Sequence, residues 1–443
     1  MYISLNQNEI DEMLKQTGVA EIGDLFSDIP DNLKLLWTLE EKNILIKKQS
    51  AVESDKEIIC ENAQTPVCFA GGGIYDHYIP SAVDFIANRS EFFTAYTPYQ
   101  PEISQGTLQY IFEYQSAVCD LTKLDVSNAS LYDGSTSLVE AIKMGLLKKN
   151  KKIEGTVLIP RSLNPNYKNV VNTYLKYSNV KFFEIPFDEK TGGIDADSLK
   201  SQIKNADIIC IQSPNYFGII ENLEEIKEIM NSNTDMVKIM IYYPLSLGLL
   251  KKPGEAGFDV AVAEGQCLGI PMSAGGPLLG MISAKSNFSR YIPGRIVGKT
   301  VDKDGKPGFV LTLQTREQHI RRERALSNIC SNESLCALRA IVYLSMLGND
   351  GLKYLSKLLF NNTSYFMQKC KERGLKLKFD SKAFNEFVIQ FKSEAELQSF
   401  LCKSRAAGIL AGIPINLNGK EDCLLVSITE KIDSGKMKKF LEI

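Results

Sequence analysis

The sequence predicts an α/β fold, with a large, mostly parallel sheet covered by helices on both faces and a smaller α+β domain at the C-terminal end. Three observations carry this expectation. From about residue 125, short and nearly continuous apolar runs alternate with stretches of helical spacing, as expected for strands buried on both faces and joined by crossover helices. Beyond a polar stretch at 294–308 the composition shifts to strongly apolar helices with fewer strand-like runs. The chain has 443 residues and a hydrophobic content of 44%, enough for one large core and a smaller one.

Taken in order, residues 1–68 read as an N-terminal arm, with a helix-like start ("LNQNEIDEMLKQTG") and a polar stretch ("KKQSAVESDKE") that offer little to build a core. Residues 69–330 read as the large domain. Within it "LVEAIKMGLLKKN" (138–150) is helical by its apolar spacing and "TVLIP" (156–160) is a buried strand. The alternation continues through helical "NYKNVVNTYLKYS", strand "VKFFEIP" (180–186), helical "DADSLKSQIKN" and strand "DIICIQSP" (207–214). Helical "NLEEIKEIMNSN", strand "VKIMIYY" (237–243), then "FDVAVAE" and "PLLGMISAK" complete it. Crossovers in such a sheet are right-handed, and ligands gather at the carboxyl ends of its strands. Segment 294–308 reads as a polar loop. Residues 331–443 read as the small α+β domain, with two or three strands ("FNEFVIQF", "LLVSITE") and helices on one side.

The net charge of −2 gives no sign of a nucleic-acid or anionic-membrane partner. The start lacks the pattern of a signal peptide, and the apolar runs are too short to span a bilayer. Ten cysteines are scattered without a C-x-x-C pair, and the two histidines, His77 and His319, are far apart. No zinc-ligand spacing results. The thiols read as reduced and mostly packed, which suits a cytoplasmic chain.

Three segments could carry chemistry. In "NASLYDGSTSLVEAIKMG" (128–145), Ser137 and Glu140 have the spacing of a capping box. The amides and hydroxyls of Ser135, Thr136 and Ser137 at this helix start could cradle a phosphate, or simply cap an ordinary helix. "GGGIYDHYIP" (71–80) and "AYTPYQPEISQG" (95–106) are rich in Gly, Pro and Tyr, the composition of irregular loops that line sites. His77 there reads equally as a general base or as a structural hydrogen-bonder beside Asp76. In "QTREQHIRRERALSNICSN" (314–332), Arg316, Arg321, Arg322 and Arg324 surround His319. They suit carboxylate or phosphate recognition, or a solvated face paired with Glu317 and Glu323.

Together, "GGGIYDHYIP", "EFFTAYTPYQPEISQGTLQ", "SNASLYDGSTS", "QSPNYFGIIE", "GQCLGIPMSAGGP" and "GFVLTLQTREQHIRRERALSNICSN" resemble the P-protein of the glycine cleavage system, specifically subunit 1 of its two-subunit bacterial form. The similarity is dense from about residue 66 to 348, credible beyond, and loose in the first 65. The resemblance implies the aminotransferase-like fold (fold type I) of pyridoxal-phosphate (PLP) enzymes. It implies a part in glycine decarboxylation, an oxidoreductase reaction on CH–NH2 with a disulfide acceptor, in which the aminomethyl group passes to the lipoyl arm of H-protein and CO2 is released. It also implies a partner, subunit 2, assembling with this chain as α2β2 and holding the PLP covalently on its own lysine.

Enzymes of that fold tether PLP to a lysine in a turn after a sheet strand, and "GFDVAVAEGQCLGIPMSAGGPLLG" (257–280) has the strand and turn but no lysine between Pro253 and Lys285. Laid on the partner's turn, the resemblance puts Gln266 at the lysine position. It puts Pro244, in "IYYPLSLG", where an Asp would hold the pyridine nitrogen. Gln cannot form a Schiff base and Pro cannot hold a pyridinium, so no catalytic residue is expected in this chain. The expected cofactor- or substrate-facing residues are His77, Tyr96, Tyr99, Gln100, Glu102, Arg316 and His319. One departure is Asn164-Pro165, where the family commonly reads His-Pro. Two other readings stay open. The chain could be purely a docking platform for subunit 2 and H-protein, or a self-sufficient PLP enzyme using another lysine such as Lys285.

Overall fold

The computed structural model describes residues 5–30, 66–417 and 419–443. They fall in two compact units, Met1–Thr65 and Pro66–Ile443. In the first, the helix-like start is the helix Gln7–Thr17, capped by the Asn6–Glu9 capping box and ended by left-handed Gly18. The polar "KKQSAVESDKE" lies outside the described residues.

In the second unit the chain begins with Val67–Cys68 (β1). The large sheet follows as Val126–Ser127 (β2), Glu154–Pro160 (β3), Asn179–Ile185 (β4), Ile208–Ser213 (β5), Val237–Tyr242 (β6), Val260–Glu264 (β7) and Gly280–Ala284 (β8). Its order is β2-β8-β7-β6-β5-β3-β4. The five strands β4, β3, β5, β6 and β7 pair in parallel, and β8 and β2 close one edge antiparallel. Both faces are covered, which is why these strands read as unbroken apolar runs. On one face Val157, Ile159, Ile208, Cys210 and Ile239 pack with Leu138 and Ile142 of the helix Gly134–Asn150. On the other, Leu158, Ile209, Ile211 and Met240 pack with Tyr114, Val118 and Leu121 of the helix Gln105–Thr122.

Segment 294–308 is not a loop. Ile296–Val301 (β9) and Pro307–Thr312 (β10) form an antiparallel hairpin in register from Ile296–Thr312 to Val301–Pro307. Its polar composition reflects exposure at the tip, where the turn Asp302–Lys306 is closed by Asp302. The C-terminal layer has more strands than expected. Lys376–Leu377 (β11), Glu386–Gln390 (β12), Ile413–Leu417 (β14) and Lys420–Ser427 (β15) make a four-stranded antiparallel sheet ordered β11-β12-β15-β14. Ile409–Leu410 (β13) pairs in parallel with β1. The short β14, interrupted by a register shift between Ile415 and Leu417, lacks the alternation that announces a strand. The apolar run after 333 forms a helix over Ser334–Glu372 broken at Gly348, whose φ of 58° and ψ of −175° leave helical geometry, a conformation open mainly to glycine.

Candidate functional site

The carboxyl ends of the parallel strands open onto a cavity lined by Tyr75, Asn164, Tyr167, Tyr243, Glu264 and Glu386, among others, with a volume of about 40 Å³. Gln266 stands just past β7 and is buried, at 2% exposure. Its side-chain carbonyl accepts the Tyr75 amide at 2.9 Å, and its amide donates to the Tyr75 carbonyl at 3.0 Å and the Ile270 carbonyl at 2.8 Å. Each hydrogen-bonding group of the carboxamide is therefore engaged with backbone. Pro244, past β6, opens a buried 3-10 turn. Neither position presents a nucleophile or an acid.

The helix start at 134 is filled from within. Asp133 is its N-cap and accepts from Ser135 N at 2.8 Å and Thr136 N at 3.0 Å. The Ser135 and Thr136 hydroxyls also donate to the Asp133 carboxylate. Glu264 accepts from three backbone amides, Gly134 at 2.9 Å, Gln266 at 3.0 Å and Leu279 at 2.9 Å. The expected Ser137–Glu140 capping box does not form. The cap sits four residues earlier than that reading required, Ser137 Oγ donates to the Asp133 carbonyl, and Glu140 pairs with Lys143 at 2.7 Å. The phosphate-cradle reading thus gives way to a capped helix: two carboxylates already take the dipole's positive end. Tyr167 closes over it, its hydroxyl 1.9 Å from where a Cβ on Gly134 would lie. A cofactor site needs roughly 300 Å³ or more. The residues present therefore do not fit PLP in this chain's own strand-end cavity.

Around that cavity the polar groups are paired and buried. His77, 6% exposed, bonds Glu430 through Nδ1 at 2.8 Å and the Tyr243 hydroxyl through Nε2. Glu386 accepts from Gly72 N at 2.6 Å and the Tyr75 hydroxyl at 2.7 Å. Burial pushes its carboxyl up to about 7, against the pull of those two donors. Glu264 is likewise raised to about 7 by burial, opposed by its amide donors. Burial also raises Glu430, but the hydrogen bond and charge of His77 outweigh it and hold the carboxyl below its usual value. His77 is thus tied down at both ring nitrogens, and the structural reading of it is the better supported one. Asn164 caps the helix Pro165–Leu175 by accepting Asn166 N at 2.9 Å and holds the Gly72 carbonyl at 2.8 Å.

The other expected residues lie apart from His77. Tyr96 is 90% exposed, and Gln100 and Glu102 are exposed beside it. Tyr99, half exposed, meets the edge of His319 with ring centroids 6.1 Å apart and lies 5.5 Å from the Arg295 guanidinium. Arg316 donates to the Leu313 and Gly294 carbonyls, both at 2.9 Å, and burial draws its pKa down. His319 is exposed and lies 3.7 Å from Glu317. The fold therefore brings Tyr99, Arg316 and His319 together around Arg295. Arg295 went unremarked in the sequence because it stands alone in "IPGRIVG". Lys285 is at the wrong end of the sheet. Because β8 runs antiparallel, Lys285 reaches the start of β7 and pairs with Asp259 at 2.6 Å. Among the described residues, no group of three or more His, Cys, Asp or Glu could hold a metal, and no helix is long and apolar enough to cross a membrane.

The comparisons with known proteins agree with this architecture. A "probable glycine dehydrogenase (decarboxylating) subunit 1" of Geotalea daltonii is 41% identical over 453 residues, covering 100% of this chain and 98% of that one. The protein of that description from Anoxybacillus flavithermus is 42% identical over 439 residues, covering 97% and 95%. Among solved structures, an inhibitor-bound glycine decarboxylase (P-protein) of the glycine cleavage system superposes with a TM-score of 0.83 at 33% identity, covering 100% of this chain and 98% of that one. A Burkholderia pseudomallei sphingosine-1-phosphate lyase, at 14% identity and a TM-score of 0.62 over 89% of each chain, shares the fold alone. The model of the glycine cleavage system P-protein family matches residues 1–443, and the chain belongs to that family.

Proposed function

We propose that this chain is subunit 1 of a two-chain glycine dehydrogenase (decarboxylating) and that it works only with a homologous subunit 2. With that partner it would decarboxylate glycine on PLP, pass the aminomethyl group to the lipoyl arm of H-protein and release CO2. The names of its relatives support the activity. The observation that carries the division of labour is Gln266, fully bonded to backbone in the turn where the reaction needs a lysine. PLP supplies the electron sink that glycine decarboxylation requires, and in this reading it sits on the partner. The chain's own part is at its exposed loops. Tyr96, Gln100 and Glu102 present side chains to a neighbour, and Arg316 supplies a guanidinium and His319 an imidazole near Tyr99.

The test is glycine–bicarbonate exchange. This chain with H-protein alone gives none, and exchange appears on adding subunit 2, in an assembly that size and mass measurement show to be α2β2. Exchange by the single chain would overturn the reading.

A further inference from the structure

We infer that Arg295 is the receptor of a small-oxyanion site, for a carboxylate or a phosphate group, covered by Tyr99. Arg295 is 4% exposed, and among the described residues its guanidinium has no carboxylate partner. Its acceptors are all neutral: Ser331 Oγ at 3.1 Å, Asn332 Oδ1 at 3.3 Å, the Cys330 carbonyl at 3.2 Å and the Tyr99 hydroxyl at 3.4 Å. Each is longer than the roughly 2.7–2.9 Å of a charge-assisted bond. Its Nε is buried and, among the described residues, has no partner. A buried cation satisfied by long contacts to neutral oxygens, with one donor orphaned, is costly unless an anion completes it.

The surroundings favour an anion too. Arg316 holds the carbonyl of Gly294, the residue before Arg295, His319 packs on Tyr99, and Glu317 lies 3.7 Å from His319. The cover is the weakest element. Tyr99 is half exposed and holds the guanidinium only by the 3.4 Å contact and its ring face. When Tyr99 swings out, Nε and Nη2 become the parallel fork that a carboxylate or phosphate accepts bidentately. That this mouth faces the partner subunit rests on the function proposed above; the oxyanion binding itself does not.

The purified full-length chain, without any partner, is titrated with inorganic phosphate and, separately, with acetate. Ionic strength is held constant with chloride, and thermal midpoint and calorimetric heat are read. Saturable stabilisation is expected from at least one of them, phosphate alone marking a phosphate site and acetate a carboxylate site. Arg295→Lys, which keeps the charge and loses the fork, weakens the response about tenfold. Tyr99→Phe, which removes the competing hydroxyl, strengthens it about two- to threefold. No saturable response to either anion, or an unchanged response in Arg295→Lys, overturns the assignment. If Arg295→Lys does not fold, Tyr99→Phe decides: tighter binding supports the site, and unchanged or weaker binding removes it. Because no exchange assay is involved, failure here leaves the two-chain function standing, and failure of the exchange test leaves this site standing.

Discussion

At the scale of single residues, Gln266 fills its turn with a fully satisfied group. The Gln266 carboxamide makes three bonds to backbone that a lysine could not reproduce, since an ammonium has no acceptor for the Tyr75 amide. Gln266→Lys therefore leaves a buried amide unpaired and buries a charge, which should cost about 2–3 kcal/mol in denaturant unfolding. Borohydride treatment and peptide mapping of the native chain and of this variant should find no pyridoxyl-lysine on any peptide; such an adduct at 266 would show that the cavity admits the cofactor after all. Glu386 makes a second prediction. Its folded pKa is raised to about 7 from 4.5 by burial, so as pH rises the unfolded chain gives up this proton first. The group's contribution to stability is full below about 4.5 and declines as pH climbs through 7. Glu386→Gln keeps the acceptor for Gly72 and removes the titration. Its stability profile between pH 5 and 8 should be flatter than the native one by roughly 2–3 kcal/mol, and parallel profiles would show that Glu386 is ionised throughout. The resemblance pointed to Gln266 and Pro244 by position. It could not show Glu264 and Asp133 filling the helix start, because a carboxylate that caps a helix and one that faces solvent are spelled alike.

At the scale of elements, the loop between Thr94 and Gln105 is the segment whose fate matters most. It is tied to the β9–β10 hairpin through Gln105, which donates to the Phe309 carbonyl at 2.9 Å and accepts the Phe309 amide at 2.9 Å, as a neighbouring strand would. Beyond that anchor Tyr96 and Glu102 are exposed and, among the described residues, make no side-chain bond that would fix them. Replacing such exposed groups should change stability by about 0.5 kcal/mol or less. If they position reacting groups at a partner's site, Tyr96→Phe and Glu102→Gln should each slow exchange in the reconstituted complex by 10² to 10³, about 2–4 kcal/mol of barrier. Native turnover by both variants in an assembled complex would make the loop structural and favour the docking-platform reading. Elements with strong periodicity, such as helix Gly134–Asn150 and strands β3 to β7, could be read in advance because both faces of the sheet demand apolar residues. The hairpin and β14 could not, since each is short and half exposed, and pairing rather than composition makes them strands.

At the scale of the whole molecule, the fold class was legible from alternation alone, whereas the cluster around Arg295 was not. Tyr99, Arg295, Arg316 and Ser331 are distributed over more than two hundred residues of sequence, and only the folded chain gathers them. The same scale carries the proposed dependence on a second chain. The strand-end cavity, at about 40 Å³ too small for the cofactor, predicts that complementation does not come from raising the PLP concentration. Saturating the medium with cofactor should leave the single chain without exchange activity, and any activity gained that way would show that the cavity admits the cofactor. A cavity too small for the cofactor has a consequence for the cell. A subunit that shared its partner's binding site would compete for vitamin B6 whenever the two were made unequally. On the function proposed above, a surplus of this chain would draw nothing from the cofactor pool, so imbalance in its synthesis would leave idle protein and would not starve other B6 enzymes.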